Sequence, residues 1–321
     1  MDPRERVESA IRRRPVDRVP CGEILLDDGV VASLTGRTKV GFDERYAVLT
    51  TLGMDLVCLP TQFLQSSSAG DLPSATSACW PDLARWAKET SLFPFVLVDG
   101  AFGWGTRLMG WQNFLTAVAR RSETVTEIVR AVERLNVRLV PRAVESGAMG
   151  VLIADDVAHG RGLMVSPLVL REVFLPSIAR VVGEIHSLGA VSFFHSDGNV
   201  EQVIPDLVEA GLDGLQCIES AAGMDLGRVK ARYGDRLCLW GNLDLQELMV
   251  PRSREQLARA VEEVLSVGWR DGGLIFGTSS GLPEGVRKEN LEMVLDLAHR
   301  PGRKREAAPS QPAEPPAARF P

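Results

Sequence analysis

The chain alternates short apolar runs with longer stretches that carry a helical repeat. Apolar runs fall at residues 19–24, 56–59, 95–98, 151–154, 190–194, 214–218, 237–240 and 273–276. They are near-continuous rather than strictly alternating, as expected of parallel strands covered on both faces. Between most of them, apolar residues recur at helical spacing over 124–146, 167–188, 200–210, 254–267 and 287–299. Strands alternating with helices predict βαβ units. Eight strands in such a span predict an α/β fold of the closed (β/α)8, or TIM-barrel, kind.

The ends of the chain break this pattern. Asp2-Pro3 followed by residues 4–13 predicts a capped opening helix with proline in its first turn. The first half carries longer inserts, notably 61–92 with Ser66-Ser67-Ser68 and Cys79-Trp80. These are expected to decorate the barrel mouth rather than form a second domain. One barrel domain over 1–300 is predicted. From Pro301 onward proline, alanine and charge dominate, so 301–321 is expected to be a disordered tail.

Composition narrows the function classes. The 321 residues are 45% apolar, ample for a core. A net charge of -6 with scattered basic residues offers no nucleic-acid surface. Arg4, Arg6, Arg12, Arg13 and Arg14 are mixed with acids and read as a solvated helix face. The five cysteines, Cys21, Cys58, Cys79, Cys217 and Cys238, are odd in number and form no CxxC pair. They read as free thiols in a reducing cytoplasm, with Cys217 in the core rather than a ligand. The opening residues lack the apolar segment of a signal peptide, and no apolar run approaches the roughly 18 residues of a membrane span. Oligomeric state stays open.

Candidate chemistry gathers where the strands end, the place where barrels build active sites. In chain order the ends carry Glu23 and Asp27-Asp28, Thr61-Gln62, Asp99-Gly100, Asp155-Asp156 with His159 and Arg161, His195 with Asp197 and Asn199, Glu219, Asn242 with Asp244, and Thr278 to Gly281. The stretch Phe193-Phe194-His195-Ser196-Asp197-Gly198-Asn199 stands out, because a buried strand turns abruptly into metal-capable side chains. Two chemistries fit. Carboxylates held together or away from water act as general acids and bases. Alternatively, His195 with Asp197, Glu219 or Asp156 coordinates a divalent metal. Structural roles compete: Asp197 and Asn199 as helix caps, Asp244 as a cap, and Asp155-Asp156 as a hydrogen-bonding pair. His186 and His299 read as surface residues. His159, flanked by glycine, reads as functional.

Several motifs occur together and in order. They are Pro15-Val16-Asp17-Arg18-Val19-Pro20, Asp155-Asp156 with Arg161-Gly162 and Ser166-Pro167, His195 to Asn199, Asp206 to Gly211, Ala222 to Asp225, Tyr233 to Arg236, Gly241 to Asp244, and Glu289-Asn290. Over most of residues 3–300 the chain resembles the uroporphyrinogen decarboxylase superfamily, which implies the barrel. True decarboxylases of that superfamily carry an arginine-rich motif after the first strand. Here residues 21–28 are acidic and would repel a polycarboxylated porphyrinogen. Asp55, in Gly53-Met54-Asp55-Leu56, is similar to the region of the decarboxylases' catalytic aspartate.

The other branch comprises corrinoid-linked methyltransferases, which hold zinc through His-x-Cys after strand five and a cysteine after strand eight. His195 matches the histidine. Asp197 stands where the first cysteine would be, and Ser280 near the second. Aspartate is harder than thiolate and neutral serine is a poor ligand, so the soft thiolate pair is absent. A metal at His195, Asp197 and Glu219 and a metal-free site both stay open. The resemblance implies small-molecule methyl transfer, with a free or protein-bound corrinoid as partner and zinc as a cofactor. His195 would bind metal or polarise substrate, with Asp197 as its neighbour. Asp156, Glu219, Glu23 and His159 would hold protons or substrate. Decarboxylation of a porphyrinogen or related acid is the alternative. A barrel that binds a small molecule without catalysis is the third.

Overall fold

The computed structural model describes residues 1–64, 71–269 and 271–300. The expected disordered tail and the Ser66-Ser67-Ser68 segment lie outside these residues. Seven parallel strands form one sheet in chain order: β1 (Leu56–Pro60), β2 (Phe93–Asp99), β3 (Gly150–Ala154), β4 (Val191–His195), β5 (Gly214–Cys217), β6 (Cys238–Leu243) and β7 (Leu274–Thr278). The register aligns Asp99 with Ala154, Ala154 with His195, and His195 with Gln216, so the polar strand ends share one rim.

Alternate residues of each strand face opposite ways, and this separates two apolar clusters. Leu56, Phe93, Phe95, Leu152, Phe193, Trp240 and Ile275 meet in a small cluster on the concave face. Because it joins residues from β1 and from β7, the sheet is strongly curled. The intervening residues Val57, Val96, Val151, Phe194, Leu239 and Phe276 belong to the larger cluster under the helices. These include Glu123–Glu145, Leu175–Ser187, Arg254–Gly268 and Lys288–Ala298, close to the predicted spans. The span 200–210 is helical only over Ile204–Glu209, after a separate turn at Glu201–Val203. Pro205 has no N–H to give the preceding turn.

Residues 19–24 differ from the predicted first strand. They make only isolated pairings, Cys21 with Phe276 and, further on, Leu26 with Leu282. Gly22 N–H bonds the Phe276 carbonyl at 3.0 Å, and Asp55 N–H bonds the Cys21 carbonyl at 2.7 Å, so the segment touches β7 and the start of β1. Pro20 lacks a donor, which interrupts any regular ladder. The contact with β7 is close: a Cβ on Gly277 would lie 2.2 Å from the Gly22 carbonyl oxygen.

The opening helix Pro3–Ile11 is capped by a reciprocal Asp2–Glu5 box, and its Val7 and Ile11 reach the concave cluster. Arg12, Arg13 and Arg14 are exposed, as a solvated face requires, but Arg4 and Arg6 correct that expectation. Arg4 donates to the carbonyls of Ala87, Thr90 and Leu92. Arg6 is buried between Asp17, at 2.6 Å, and Asp55, at 2.5 Å. Asp55 also receives Arg18 and the Cys21 N–H, each at 2.8 Å. Asp55 thus stands immediately before β1, at the opposite end of the sheet from His195, with both oxygens engaged. That placement makes it a structural anchor and removes it from the candidate chemistry.

Breaking a buried ion pair from one side leaves an uncompensated charge. Asp55→Ala is expected to lower unfolding free energy by about 3 kcal/mol. Arg12→Ala, which removes the exposed pair with Glu8, should change it by under about 0.5 kcal/mol. Urea titrations of the two variants check the contrast.

Candidate active site

Adjacent acids after β3 take different roles. Asp155 is 1% exposed and accepts the N–H groups of Phe102, at 3.2 Å, and Gly103, at 2.8 Å. The helix Ala101–Met109 begins at Gly100 and has no side-chain cap of its own, so Asp155 caps it from the sheet. Burial pushes the Asp155 carboxyl up to about 7, against the pull of those two N–H groups. Asp156 is exposed at the rim. Its Oδ1 accepts the Asp197 N–H at 2.9 Å and lies 3.6 Å from His195 Nε2.

His195 ends β4 with 7% exposure. Its Nδ1 is bonded to the Gln216 Oε1. Gln216, 1% exposed inside β5, directs its Nε2 to the carbonyls of Thr278, at 3.4 Å, and Ser279, at 3.2 Å. Carbonyls only accept, so the Gln216 amide nitrogen must face them and its oxygen must face the ring. His195 Nδ1 therefore carries a hydrogen, and Nε2 faces the carboxylates of Asp156 and Asp197, the latter 3.9 Å away.

Asp197 does not cap the following segment; Asn199 does, accepting the Glu201 N–H at 3.1 Å. The Asp197 Oδ1 instead receives the Cys217 thiol at 3.4 Å. Glu219 accepts the Gly198 N–H at 2.8 Å. Cys217 and Ile218 have φ of 93° and 52°, left-handed values rare for such residues. The ligand atoms of Asp156, His195 and Asp197 lie within 4.8 Å of one another, as do those of Asp197, Cys217 and Glu219. Tetrahedral zinc with bonds of ~2.0–2.3 Å needs neighbouring donors about 3.3–3.8 Å apart. Within the first group the His195–Asp156 separation of 3.6 Å falls in that range, and the His195–Asp197 separation of 3.9 Å lies just beyond it.

Glu23 lies apart from this group but is connected to it. It accepts the Thr278 N–H at 2.9 Å and contacts the Thr278 hydroxyl at 2.7 Å. That hydroxyl also bonds the Gly281 carbonyl at 2.9 Å. The hydroxyl has one hydrogen, and the carbonyl can only accept it. The Thr278 hydroxyl thus faces two acceptors, the Gly281 carbonyl and the Glu23 carboxyl, and donates to the latter over the shorter distance. Burial, opposed by the Thr278 bonds, pushes Glu23 up to about 7. Glu23 also lines a cavity of about 290 Å³, walled by Leu26, Phe42, Leu49, Leu56 and Trp86. None of the five rim residues borders this cavity.

Of the remaining residues, His159 is exposed on a small hairpin, where its Nδ1 accepts the Arg161 N–H at 2.9 Å. It belongs to neither potential ligand group. Ser280 is half-buried on the loop after β7, beside Ser279. Asp244 caps the short helix after it, as expected. His186 is exposed, but His299 is half-buried against Gly53 and held down to about 4 by burial and Arg18. Gln216 was missed as the partner of His195, while Cys217 is fully buried, as expected of a core residue. The available signal was a lone glutamine inside the apolar run Gly214-Leu215-Gln216-Cys217-Ile218.

The uroporphyrinogen decarboxylase (URO-D) profile matches residues 83–301, and the chain belongs to this family. A uroporphyrinogen decarboxylase from Aromatoleum aromaticum is 27% identical over 205 residues, covering 60% of this chain and 53% of the relative. The methylcobamide:CoM methyltransferase MtaA of Methanosarcina barkeri is 21% identical over 199 residues, covering 62% of this chain and 55% of the relative. The chain thus matches about half the length of these relatives. A methyltransferase structure from Methanosarcina mazei superposes with a TM-score of 0.73 at 16% identity, covering 93% of this chain and 98% of the other. That likeness establishes a shared fold.

The raised Glu23 value has a signed consequence. The unfolded chain ionises this carboxyl from about 4.5 and the folded protein from about 7, so stability falls as pH rises between them. Glu23→Gln, which mimics the protonated acid, should be about 3 kcal/mol more stable than the parent above roughly pH 8. The difference should vanish below about pH 4. Urea midpoints measured across this range check both the size and the sign.

Proposed function

We propose that this protein is a methyltransferase of the URO-D superfamily that works on a small molecule with a corrinoid as methyl carrier. The carrying observation is the placement of His195, held by Gln216 so that its Nε2 faces two carboxylates on the rim. The methyltransferase relatives support the reaction class. The local donor set supports a zinc ion held by His195 and Asp197. A bound zinc would act as a Lewis acid toward the group that accepts or releases the methyl. The chain's own residues do the rest. Gln216 keeps the His195 ring in one tautomer. Exposed Asp156 accepts the Asp197 N–H and faces the His195 ring, and Glu219 holds the Gly198 turn. Glu23, its carboxyl raised to about 7, stands beside the apolar cavity, where a small substrate body would sit.

The same reading takes residues 19–24 as an eighth, irregular stave that closes a (β/α)8 barrel. It takes residues 1–300 as one domain in the cytoplasm. Its support is the pairing of that segment with β7 and its hydrogen bond to Asp55. Among the described residues no helix is long and apolar enough to cross a membrane. The second reading, decarboxylation of a porphyrinogen or related acid, is favoured by the relatives that bear the decarboxylase name. The acidic rim and the anchoring of Asp55 by arginines weigh against a polycarboxylated substrate.

Elemental mass spectrometry with a methylcobalamin assay tests the choice. The expected result is about one zinc per chain, lost in His195→Ala together with cobalamin turnover. Absence of metal after zinc is supplied, or carbon dioxide release from a porphyrinogen without cobalamin turnover, overturns the methyl-transfer reading. Gln216→Leu should weaken zinc affinity about 10–100-fold while leaving the ligands in place, since it removes only the partner that orients His195. Competition with a chromophoric chelator measures that loss.

A further inference from the structure

We propose that the cavity beside Glu23 binds a small organic amine, its ammonium held by the Glu23 carboxylate and its apolar body enclosed by Leu26, Leu49, Leu56 and Trp86. Calling that ligand the substrate rests on the reading above; the site itself rests on the cavity's own geometry and charge.

The cavity arises where the sheet fails to close. Toward β7 the segment after Pro20 is tied at several points: Gly22 N–H to the Phe276 carbonyl, Leu282 N–H to the Leu25 carbonyl, and Asp27 N–H to the Leu282 carbonyl. Toward β1 its one backbone bond among the described residues comes from Asp55 N–H to the Cys21 carbonyl. The two segments still touch at Gly22, where a Cβ would lie 2.2 Å from Leu56 Cγ. Beyond that point the cavity stands between them, lined by Glu23, Leu25 and Leu26 from one and by Leu56–Pro60 from the other. β1 is the edge of the seven-stranded sheet, so it brings backbone N–H and C=O groups that no strand pairs to this wall. Phe42, Leu49 and Trp86, from the helix side, complete the enclosure. A cavity of about 150 Å³ holds benzene. The volume of about 290 Å³ here admits a ring with a short side chain.

The charges along the walls select the polar end of the ligand. Arg45 is committed to the Leu26 carbonyl, at 2.7 Å, and to Asp28. Asp82 stands 4.0 Å from Arg85. Burial pushes the Cys58 thiol up to about 12, so it stays neutral. Glu23 has no basic partner among the described residues; its contacts are the N–H and the hydroxyl of Thr278. An ionised carboxylate accepts about four hydrogen bonds, and Thr278 offers at most two. A ligand that brings both donors and positive charge satisfies the rest. It also offsets the burial that pushes this carboxyl up to about 7. A carboxylate ligand would meet Glu23 with no uncommitted cation on the described walls, and an alcohol would bring a donor without charge.

Isothermal titration of the full chain with phenethylamine, phenethyl alcohol and phenylpropionate tests this, because the three share a ring and a short chain and differ at the polar end. The amine is expected to bind at least roughly tenfold more tightly than the alcohol, and the acid more weakly than either. Near pH 6 amine binding should release about one proton per ligand, read from the dependence of the heat on buffer ionisation enthalpy. Near pH 8 the release should be close to nothing, since the Glu23 carboxyl is then already ionised before the ammonium arrives. Glu23→Gln should bring the amine's affinity down to that of the alcohol and abolish the proton release. Equal affinity for amine and alcohol, or no binding of any of the three, would overturn the proposal. Amine binding without methyl transfer would uphold the site and overturn only its reading as a substrate site. The three titrations of the parent protein decide these cases even if the variant fails to fold.

Discussion

The rest of the molecule depends on filling the inside of a curled sheet. Phe95, Phe193 and Trp240 do this, with ring centroids 5.2 to 6.1 Å apart. Val7 and Ile11 of the opening helix join the same cluster. Close-packed apolar side chains leave no room for unpaired polar groups. Polar residues that must meet one another or a ligand are therefore displaced to the ends of the strands. The two ends then differ. Asp55, before β1, is locked by Arg6 and Arg18. At the other end Asp156, His195, Asp197, Cys217 and Glu219 converge with only partial mutual satisfaction.

Gln216 joins these two demands. It is a polar side chain within the apolar interior, and it satisfies its amide by holding His195 on one side and two carbonyls of the last strand's loop on the other. An unpaired buried amide costs about 1–3 kcal/mol, so the three groups hold each other in place. Thr278, whose carbonyl receives Gln216, also contacts Glu23. A hydrogen-bonded path thus runs from the wall of the apolar cavity to the imidazole. It gives the cavity and the rim, which share no lining residue, a physical connection.

Much of the fold was legible in the pattern of residues. Each predicted strand from β1 to β7 overlaps the observed one, because a parallel strand covered on both faces is a short, continuous apolar run. His195 was legible as a candidate because such a run stops abruptly at an imidazole. The first predicted strand was only partly legible. The run 19–24 is apolar enough, but Pro20 and the close approach of Gly22 to Gly277 prevent a regular ladder. Arg6 looked like one solvated arginine among several, since nothing local announces that Asp17 and Asp55 will close around it.

The sequence by itself determined the alternation of strands and helices, the placement of acids and histidine at strand ends, and the family likeness. These follow from local periodicity and from motifs read along the chain. Only the tertiary structure decided which of two neighbouring acids caps a helix and which faces the rim, Asp155 or Asp156. It also decided that Gln216 orients His195 and that a buried cysteine turns toward Asp197. The physical reason is common to all three. Each outcome depends on atoms brought by other strands and on backbone direction at a single residue. Neither is encoded in the spacing of residues along one strand.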